Sequence, residues 1–261
     1  MLLDFFARIH SPNLHARGAA GTRFLLKALA PQPPGARILE LGFGTGHTMV
    51  LAESTFPGSQ LFGIEQSAVM CDTAKMRFRF CGLDPGSLGL LSGRLPFPDQ
   101  FLDAIYCESV LAIVPDEELP GLLLELNRVL RQGGKFVCNE SVWLEGLPVE
   151  TIRSINARCR QAFGIVQASE RYPYPQQWLQ LFGSAGFQVA SLHSLTKIPP
   201  GNRLPWSGAR VLSMLFSRLG WLKGRILPAL RQKNRTWREK ERSFSSYGRY
   251  LEGWLFVLSK P

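Results

Sequence analysis

Residues 38–47 read Ile38-Leu-Glu-Leu-Gly-Phe-Gly-Thr-Gly-His47, an apolar run that passes directly into a glycine-rich turn. The run predicts a buried strand, and the residues after the turn predict a helix. Glycine at Gly42, Gly44 and Gly46 lets the turn be tight and lets the backbone approach a ligand without an intervening Cβ. The free N–H groups of the following helix start carry a partial positive charge. The stretch therefore predicts a ligand-binding turn after the first strand.

An acidic residue at the end of the next predicted strand supports the same site. Residues 60–64 form that strand, and Glu65 follows it, 19 residues after Gly46. A carboxylate there can accept both hydroxyl protons of a ribose. A dinucleotide fold has the spacing G-x-G-x-x-G, whose third glycine would fall at His47, so the spacing disfavours a nicotinamide-dependent oxidoreductase. The other alternative is a glycine-rich turn in an α/β protein that binds no ligand.

Outward from this stretch, strand-like and helix-like segments alternate along the chain. This alternation predicts an α/β fold with a parallel sheet and helices on both faces. Thr22 is predicted to open an N-terminal helix that the proline-rich residues 31–35 terminate. Gly133 and Gly134 are predicted to cap the helix before the fifth strand. The predicted strands are 37–41, 60–64, 88–91, 104–107, 134–139, 187–192 and 254–259, and the predicted helices after the first strand are 47–56, 67–81, 117–131, 149–163 and 176–185.

The sequence at this point resembles the class I S-adenosylmethionine-dependent methyltransferases, in particular the group that includes the quinone-biosynthesis enzymes. The likeness rests on the glycine stretch and its acidic partner, and on four further segments, residues 95–99, 104–111, 126–135 and 178–187. It implies S-adenosylmethionine as the cofactor. It also implies a Rossmann-like seven-stranded sheet that is parallel except for an antiparallel last strand.

The resemblance further implies a set of cofactor contacts that follow the ends of the strands. Glu40 would lie near the amino-acid end of the cofactor, the glycines would line its backbone, and Glu65 would hold its ribose. Family members often carry an acidic residue after strand three that receives the adenine amino group. Residues 91–94 read Leu-Ser-Gly-Arg, so the acid is missing here, and Ser92 or a backbone group is expected to substitute for it. The predicted cofactor contacts are Glu40, Gly42, Gly44, Gly46, Glu65, Gln66, Ser92 and Glu108.

Methyl transfer from a sulfonium is an in-line displacement that requires no metal, and no metal site is predicted. Holding the nucleophile and the methyl group in a reactive geometry can lower the activation barrier by roughly 7–11 kcal/mol. A base is needed only when the acceptor must lose a proton. The catalytic candidates are Glu108 after strand four, His15 in the N-terminal segment and Tyr172 after strand five, although a solvated or packed side chain is the favoured interpretation of each one taken singly. His10 and Tyr174 are further candidates of the same kind.

The net charge of +10 is confined to one segment. Residues 197–249 contain 13 Lys and Arg and two acids, whereas the rest of the chain contains 17 bases and 18 acids. We therefore expect a nearly neutral domain that carries a basic insertion. The expected parts of this single domain are an N-terminal helical cap (1–34), a core (35–195), a basic helical insert (196–250) and the last strand (251–261).

Three interpretations of the basic insert compete. Residues 207–220 have helical spacing, with Leu212 and Leu215 on one face and Arg210 and Ser213 on another. A solvated lid over the substrate pocket is the first interpretation. The second is peripheral contact with an anionic membrane through residues 197–249, since bases and an apolar face suit an interface. RNA binding is the least favoured, because no RNA-binding module is recognisable.

Five widely spaced cysteines without a CxxC pair suggest a reducing compartment. Because neither a signal peptide nor a membrane-spanning run is recognisable, we expect a cytoplasmic protein, peripheral at the membrane surface if the insert binds lipid. The predicted activity is methylation of a small acceptor at O, C or N, and lipid association would favour a hydrophobic acceptor. The alternatives are a non-catalytic protein that binds S-adenosylmethionine and, less favoured, the nicotinamide-dependent oxidoreductase. Oligomeric state stays open.

Overall fold

Seven strands form one sheet in the computed structural model, which describes residues 2–12, 15–90, 94–197 and 204–261. The strands are β1 (Arg37–Leu41), β2 (Gln60–Glu65), β3 (Leu88–Leu90), β4 (Leu102–Glu108), β5 (Leu130–Trp143), β6 (Gln188–Ser194) and β7 (Leu251–Ser259). Their order across the sheet is β3-β2-β1-β4-β5-β7-β6. Only β7 runs antiparallel to its neighbours in this sheet, β5 and β6. The predicted Rossmann-like sheet with an antiparallel last strand is confirmed.

Helices cover both faces of the sheet. Among the described residues they are α1 (Leu2–Arg8), α2 (Gly18–Leu29), α3 (His47–Thr55), α4 (Ala68–Phe80), α5 (Leu119–Val129), α6 (Val149–Phe163), α7 (Pro175–Ser184), α8 (Gly208–Ile226) and α9 (Pro228–Phe244). Successive strand residues point to opposite faces. Accordingly Ile38 and Ala104 pack with α2, α3 and α4, whereas Leu39 and Ile105 pack with α5, α6 and α7.

Two predicted boundaries are wrong. Helix α2 begins at Gly18, so Thr22 lies one turn inside the helix and does not cap it. Helix α5 ends at Val129, and the chain is already extended at Leu130, which pairs with Leu102 of β4. Gly133 keeps its positive φ of 69°, but its N–H donates to the carbonyl of Lys260 at 2.8 Å. Long-range pairing, which local patterns do not contain, therefore makes β5 longer than predicted.

The chain between β6 and β7 contains α8 and α9. Helix α8 packs on α3 and α4 and crosses the N-terminal segment at Gly220, where a Cβ would lie 2.3 Å from the carbonyl oxygen of Ile9. Helix α9 is held by Trp237, whose ring centroid lies 5.1 Å from that of Phe6 and 4.8 Å from that of Phe163. Within the described ranges, no helix combines the length and the apolar character needed to cross a membrane.

Candidate functional site

The candidate site lies where the strand order reverses. Strand β1 has β2 on one side and β4 on the other, and the connections from β1 and β4 leave the same edge in opposite directions. In open α/β sheets, ligands bind in the crevice at such a point, outside the carboxyl ends of the strands. Glu40, Glu65 and Glu108 lie at or beside the ends of β1, β2 and β4. The fold therefore brings three predicted site residues to one edge.

Each glycine of the turn has a positive φ, and the three have different surroundings. A Cβ on Gly42 (φ 70°) would lie 2.4 Å from Val110, and a Cβ on Gly46 (φ 77°) would lie 2.9 Å from Ala74. These two glycines permit close packing within the protein. A Cβ on Gly44 (φ 53°) would meet no described atom within 4 Å. The turn thus has one open side, and Gly44 lines it.

Glu65 joins the glycine turn to the start of α4. Its Oε1 accepts hydrogen bonds from the backbone N–H groups of Gln66 at 2.8 Å and Ser67 at 2.9 Å. Its Oε2 accepts one from the N–H of Gly44 at 2.9 Å. The carboxylate is therefore fixed beside the open side of the turn. Gln66 contributes its backbone here while its side chain is exposed, and Ser92 lies outside the described residues.

Glu40 is buried beneath the turn. Its Oε2 accepts a hydrogen bond of 2.8 Å from the Tyr106 hydroxyl, which lies opposite it in the pairing of β1 with β4. Burial raises the pKa of Glu40 well above the usual value; the tyrosine hydrogen bond opposes that rise, and the nearby Glu108 and Glu65 carboxylates add to it. A neutral Glu40 avoids placing three negative charges together, and a positively charged ligand at this edge would favour the charged form of all three carboxyl groups.

Glu108 is the centre of a buried polar cluster. Its carboxylate accepts hydrogen bonds from the hydroxyls of Thr22 and Thr48, each at 3.1 Å, and from the Asn139 amide at 3.2 Å. His15 Nδ1 lies 3.1 Å from Oε2, which is ion-pair distance, but the ring is not oriented to hydrogen bond there. The structure therefore brings together two predicted catalytic residues, Glu108 and His15.

Two atoms of this cluster have unmet hydrogen-bonding capacity. His15 Nδ1 and Asn139 Oδ1 are buried and have no hydrogen-bond partner among the described residues. A buried polar atom without a partner destabilises a fold by roughly 1–3 kcal/mol, so folded proteins contain few of them. Because His15 Nδ1 still lies 3.1 Å from the Glu108 carboxylate, Asn139 Oδ1 is the acceptor in this cluster that is open to a ligand.

Comparison with known proteins identifies the family. Residues 39–138 match the model of a methyltransferase domain. Over 200 residues, which are 77% of this chain and 71% of its relative, the chain is 34% identical to the ubiquinone/menaquinone biosynthesis C-methyltransferase of Desulfotalea psychrophila. The chain belongs to the class I S-adenosylmethionine-dependent methyltransferases. It is an enzyme, and S-adenosylmethionine is its cofactor.

Solved structures of low sequence identity share the fold of this methyltransferase. Phosphoethanolamine N-methyltransferase 2 of Haemonchus contortus, solved with S-adenosyl-L-methionine, superposes with a TM-score of 0.70 at 18% identity, covering 98% of this chain and 56% of that one. A geranyl diphosphate methyltransferase solved with the same cofactor gives a TM-score of 0.63 at 20% identity, covering 94% of this chain and 86% of that one.

The edge of the methyltransferase sheet fits the cofactor chemically. S-adenosylmethionine carries a sulfonium and an ammonium group, and the carboxylates of Glu65 and Glu108 supply opposite charge. Glu65 keeps acceptor capacity for hydroxyl groups, and Gly44 leaves its side of the turn open. The Asn139 Oδ1 atom, which has no hydrogen-bond partner among the described residues, offers an acceptor to a bound ligand.

The N-terminal segment of the methyltransferase covers this edge. The N–H of Ala16 donates to the Ser109 hydroxyl at 3.2 Å, and the Asn139 amide donates to the carbonyl of Ala16 at 3.1 Å. Helix α2 approaches closely because residue 21 is glycine: a Cβ on Gly21 would lie 2.8 Å from the Asn139 amide nitrogen. His15 and Thr22 belong to this covering segment, and their side chains contact Glu108.

Glu140 is a buried residue that the sequence analysis missed. Its carboxylate accepts backbone hydrogen bonds from Val110 at 3.2 Å, Leu111 at 3.1 Å and Ala112 at 3.0 Å. Burial raises its pKa to about 7, against the lowering effect of these hydrogen bonds. Glu140 thereby positions the loop that follows Glu108. Thr22, Thr48 and Asn139 were also missed as partners of Glu108.

The other candidate residues lie among different partners. Tyr172 is half-buried; its N–H donates to the Ser169 hydroxyl at 2.8 Å and its ring packs near Trp178. The Tyr174 hydroxyl donates to a backbone carbonyl at 3.1 Å. His10 stacks on a phenylalanine of α8, and burial lowers its pKa. Within the described contacts none of the three touches Glu108, and a catalytic role for Tyr172 stays a prediction.

Proposed function

We propose that this methyltransferase methylates a small, hydrophobic acceptor at O, C or N, with the reacting methyl group held beside Glu108. The observation that carries the proposal is the incomplete polar cluster at the end of β4, directly beside the glycine turn. A cofactor-binding edge and an unfinished cluster of buried polar atoms meet there. The acceptor would approach beneath the N-terminal segment that supplies His15.

The roles proposed for individual residues follow from their positions. Glu65 binds the ribose hydroxyls, Gly44 lets the backbone approach the cofactor, and Glu40 lies toward its amino-acid end. The bound cofactor supplies an activated methyl group. Glu108 provides negative charge near the sulfonium and holds His15 at the acceptor side. Orienting the two reactants can lower the activation barrier of such a reaction by roughly 7–11 kcal/mol. A general base is required only when the acceptor must lose a proton.

Two independent observations support a small hydrophobic acceptor. The relatives are named for ubiquinone, menaquinone and geranyl diphosphate, which are small molecules, although phosphoethanolamine among them is polar. In addition, α8, which packs on the N-terminal segment, exposes a row of aliphatic side chains. A cytoplasmic enzyme that meets its acceptor at a membrane surface is consistent with both, and this location is part of the proposal.

Calorimetric titration of S-adenosylhomocysteine tests the cofactor contacts. Glu65→Gln keeps an acceptor oxygen for the backbone N–H groups but removes the charge-assisted bonds to the ribose. We expect the affinity to fall by about 2 kcal/mol, roughly 30-fold. Unchanged affinity in a variant that melts like the wild type would show that Glu65 does not hold the ribose.

Two glycines provide a matched control for the same titration. Gly44 and Gly58 both have a positive φ and open space where a Cβ would lie, but Gly58 is in the turn between α3 and β2. Alanine at either position should destabilise the protein by about 1 kcal/mol. Only Gly44→Ala should also weaken S-adenosylhomocysteine binding. Equal loss of binding in both variants would remove the support for a cofactor at Gly44.

The acceptor class is tested by incubating the enzyme with cell extract and S-adenosylmethionine labelled in its methyl group. The products are then partitioned between an organic solvent and water. Enzyme-dependent label in the organic phase supports a hydrophobic acceptor. Label only in water-soluble small molecules would contradict it, and label in protein or nucleic acid would contradict a small acceptor.

A further inference from the structure

Helix α8 is amphipathic, and its apolar face points outward. Val211, Leu212, Leu215, Leu219, Leu222 and Ile226, here called the leucine ridge, are between 36% and 65% exposed. The buried face carries Ser213, Phe216, Ser217, Gly220 and Gly224. An amphipathic helix of a globular protein normally turns its apolar face toward the core. Contiguous exposed apolar side chains mark an interaction surface.

The polar face of α8 is fixed in place by specific contacts. The Arg77 guanidinium on α4 donates to the carbonyl and hydroxyl of Ser213, at 2.8 and 2.9 Å, and to the Ser217 hydroxyl at 2.9 Å. Gly220 lies so close to His10 that a Cβ would be 2.4 Å from the histidine Cβ. Rolling the leucine ridge inward would break these contacts, so its exposure is built into the packing.

A basic surface lies on α9, the helix that follows α8 and packs against it. Arg231, Arg235, Arg238 and Arg242, here called the arginine stripe, recur every three or four residues along α9 and share one face. With Arg225 of α8 they line a groove of about 390 Å³ between the two helices, and among the described side chains that line it Glu239 is the one acid. All four stripe residues are exposed. Trp221, 46% exposed, lies at the junction with Arg225 stacked 4.2 Å above its ring.

We propose that the leucine ridge and the arginine stripe together dock this enzyme on the surface of an anionic lipid bilayer. The ridge would enter the boundary between headgroups and acyl chains, and the stripe and groove would hold lipid phosphates. Amphipathic helices with bases and tryptophan beside an apolar face bind membranes in this way, and each base near an anionic surface strengthens binding about fivefold. This inference deepens the membrane-surface location given in the proposed function, but it rests on this surface and does not depend on which acceptor is methylated.

Charge complementarity selects the bilayer over other occupants. A single-stranded RNA would use the arginine stripe but would leave the aliphatic ridge in water. A second copy of the chain would cover the ridge but would bring two arginine stripes together. An anionic bilayer satisfies both features at once, because its phosphates and its acyl chains lie side by side.

Co-sedimentation of the full chain with vesicles tests the proposal. The protein should bind vesicles of phosphatidylcholine with phosphatidylserine, bind phosphatidylcholine vesicles at least tenfold more weakly, and dissociate as salt is raised. Equal binding to both vesicle types, or binding to neither, would overturn it. So would displacement by inorganic phosphate at the concentration of the lipid headgroups, since a free phosphate site would then explain the groove.

Matched variants separate the two halves of the surface. Leu219→Gln should weaken vesicle binding roughly tenfold, whereas Leu124→Gln, at an exposed leucine of α5, should leave it unchanged. Arg235→Gln should weaken binding about fivefold. Arg153→Gln is its control, because each arginine is exposed and pairs with one glutamate of its own helix. Equal effects within either pair would contradict docking through α8 and α9.

Two further results would assign the surface to another partner. In the first, RNA binding stronger than vesicle binding and unaffected by Leu219→Gln would indicate a nucleic-acid surface. In the second, light scattering would show a wild-type dimer that becomes a monomer in Leu219→Gln without any vesicle binding. S-adenosylhomocysteine affinity and thermal melting of each variant report on the cofactor site and the fold separately. A failure of docking is therefore distinguishable from a failure of the proposed acceptor.

Discussion

Arg77 and Glu108 are both charged side chains buried at the same edge of the sheet, and their surroundings differ. Arg77 is 0% exposed and donates to six oxygen atoms. These oxygens belong to the N-terminal segment, the glycine turn and α8. Burial lowers its pKa to about 10, which leaves it charged at neutral pH. Every direction in which the guanidinium donates is therefore used by the protein itself.

Glu108 is nearly as buried but its cluster is incomplete. Its hydrogen-bond partners are two hydroxyls and one amide, all on side chains that can rotate, its contact with His15 is an ion pair without a hydrogen bond, and the neighbouring Asn139 Oδ1 has no partner among the described residues. This difference indicates whether a buried charged side chain has a structural role or a ligand-binding role. A charge whose partners are complete holds elements together, whereas a charge in an incomplete cluster is positioned for a ligand.

The largest effect should follow from Arg77→Met. Methionine fills much of the same space but leaves the carbonyls of His10 and Thr45 and the Thr45 hydroxyl oxygen without their donor. We expect a loss of about 4 kcal/mol in the free energy of unfolding, from several unsatisfied acceptors at about 1–3 kcal/mol each. Urea denaturation measures it, and Arg79→Met, an exposed arginine of the same helix, is the control. A loss below 1 kcal/mol would mean that the buried arginine does not hold α8 in place.

Glu140 extends the comparison, because it is a buried carboxylate whose three backbone partners are complete. Glu140→Gln presents an NH₂ group to a backbone N–H that cannot reverse its direction. The expected loss is about 2 kcal/mol in the free energy of unfolding. Glu145→Gln, an exposed glutamate just beyond β5, should change little. Should both variants unfold alike, the loop after β4 does not depend on Glu140.

The same residue predicts a pH dependence. The native pKa of Glu140 is about 7, above the usual 4.5. Between these values the folded protein holds a proton that the unfolded chain has lost, so this group's contribution to stability falls as pH rises from about 4.5 to 7. The difference in unfolding free energy between wild type and Glu140→Gln should therefore shift against the wild type across that range, by up to about 3 kcal/mol, so that the wild-type advantage present at pH 5 is lost by pH 8. A constant difference at pH 5 and pH 8 would contradict the raised pKa.

The sequence predicts the part of the site whose residues follow recognisable strands. The glycine turn and Glu65 follow strands whose apolar patterns are clear, and the structure has them at one edge of the sheet. The partners of Glu108 could not be predicted, because Thr22 and Thr48 reach it from helices 86 and 60 residues away in sequence. Asn139 could in principle be predicted as a partner, because it lies opposite Glu108 when β4 and β5 are aligned as neighbouring strands.

Helix α8 shows a different limit of the sequence. Its two faces were predicted correctly as aliphatic and polar, but nothing local indicates which face is buried. The answer depends on Arg77, more than 130 residues earlier, whose donors need the serines of the polar face. A buried cation therefore reverses the usual orientation of an amphipathic helix. The same reversal leaves the leucine ridge exposed.

The smallest change in stability, and the most specific effect on function, should come from Glu108→Gln. Here the hydroxyls of Thr22 and Thr48 can rotate to accept, and the partnerless Asn139 Oδ1 can accept from the new amide, so the free energy of unfolding should change by less than about 1 kcal/mol. S-adenosylmethionine carries a sulfonium charge that S-adenosylhomocysteine lacks. Removing the carboxylate should therefore weaken binding of S-adenosylmethionine by about 1–2 kcal/mol more than binding of S-adenosylhomocysteine.

Calorimetric titration of both ligands into Glu108→Gln and Glu140→Gln measures this difference. The second variant removes a buried carboxylate with a complete set of partners, so it should weaken both ligands alike. If Glu108→Gln also weakens both alike while destabilising the fold as much as Glu140→Gln, then Glu108 belongs with Arg77 among the structural charges. If only the sulfonium ligand is affected, the incomplete cluster is where the methyl group is held.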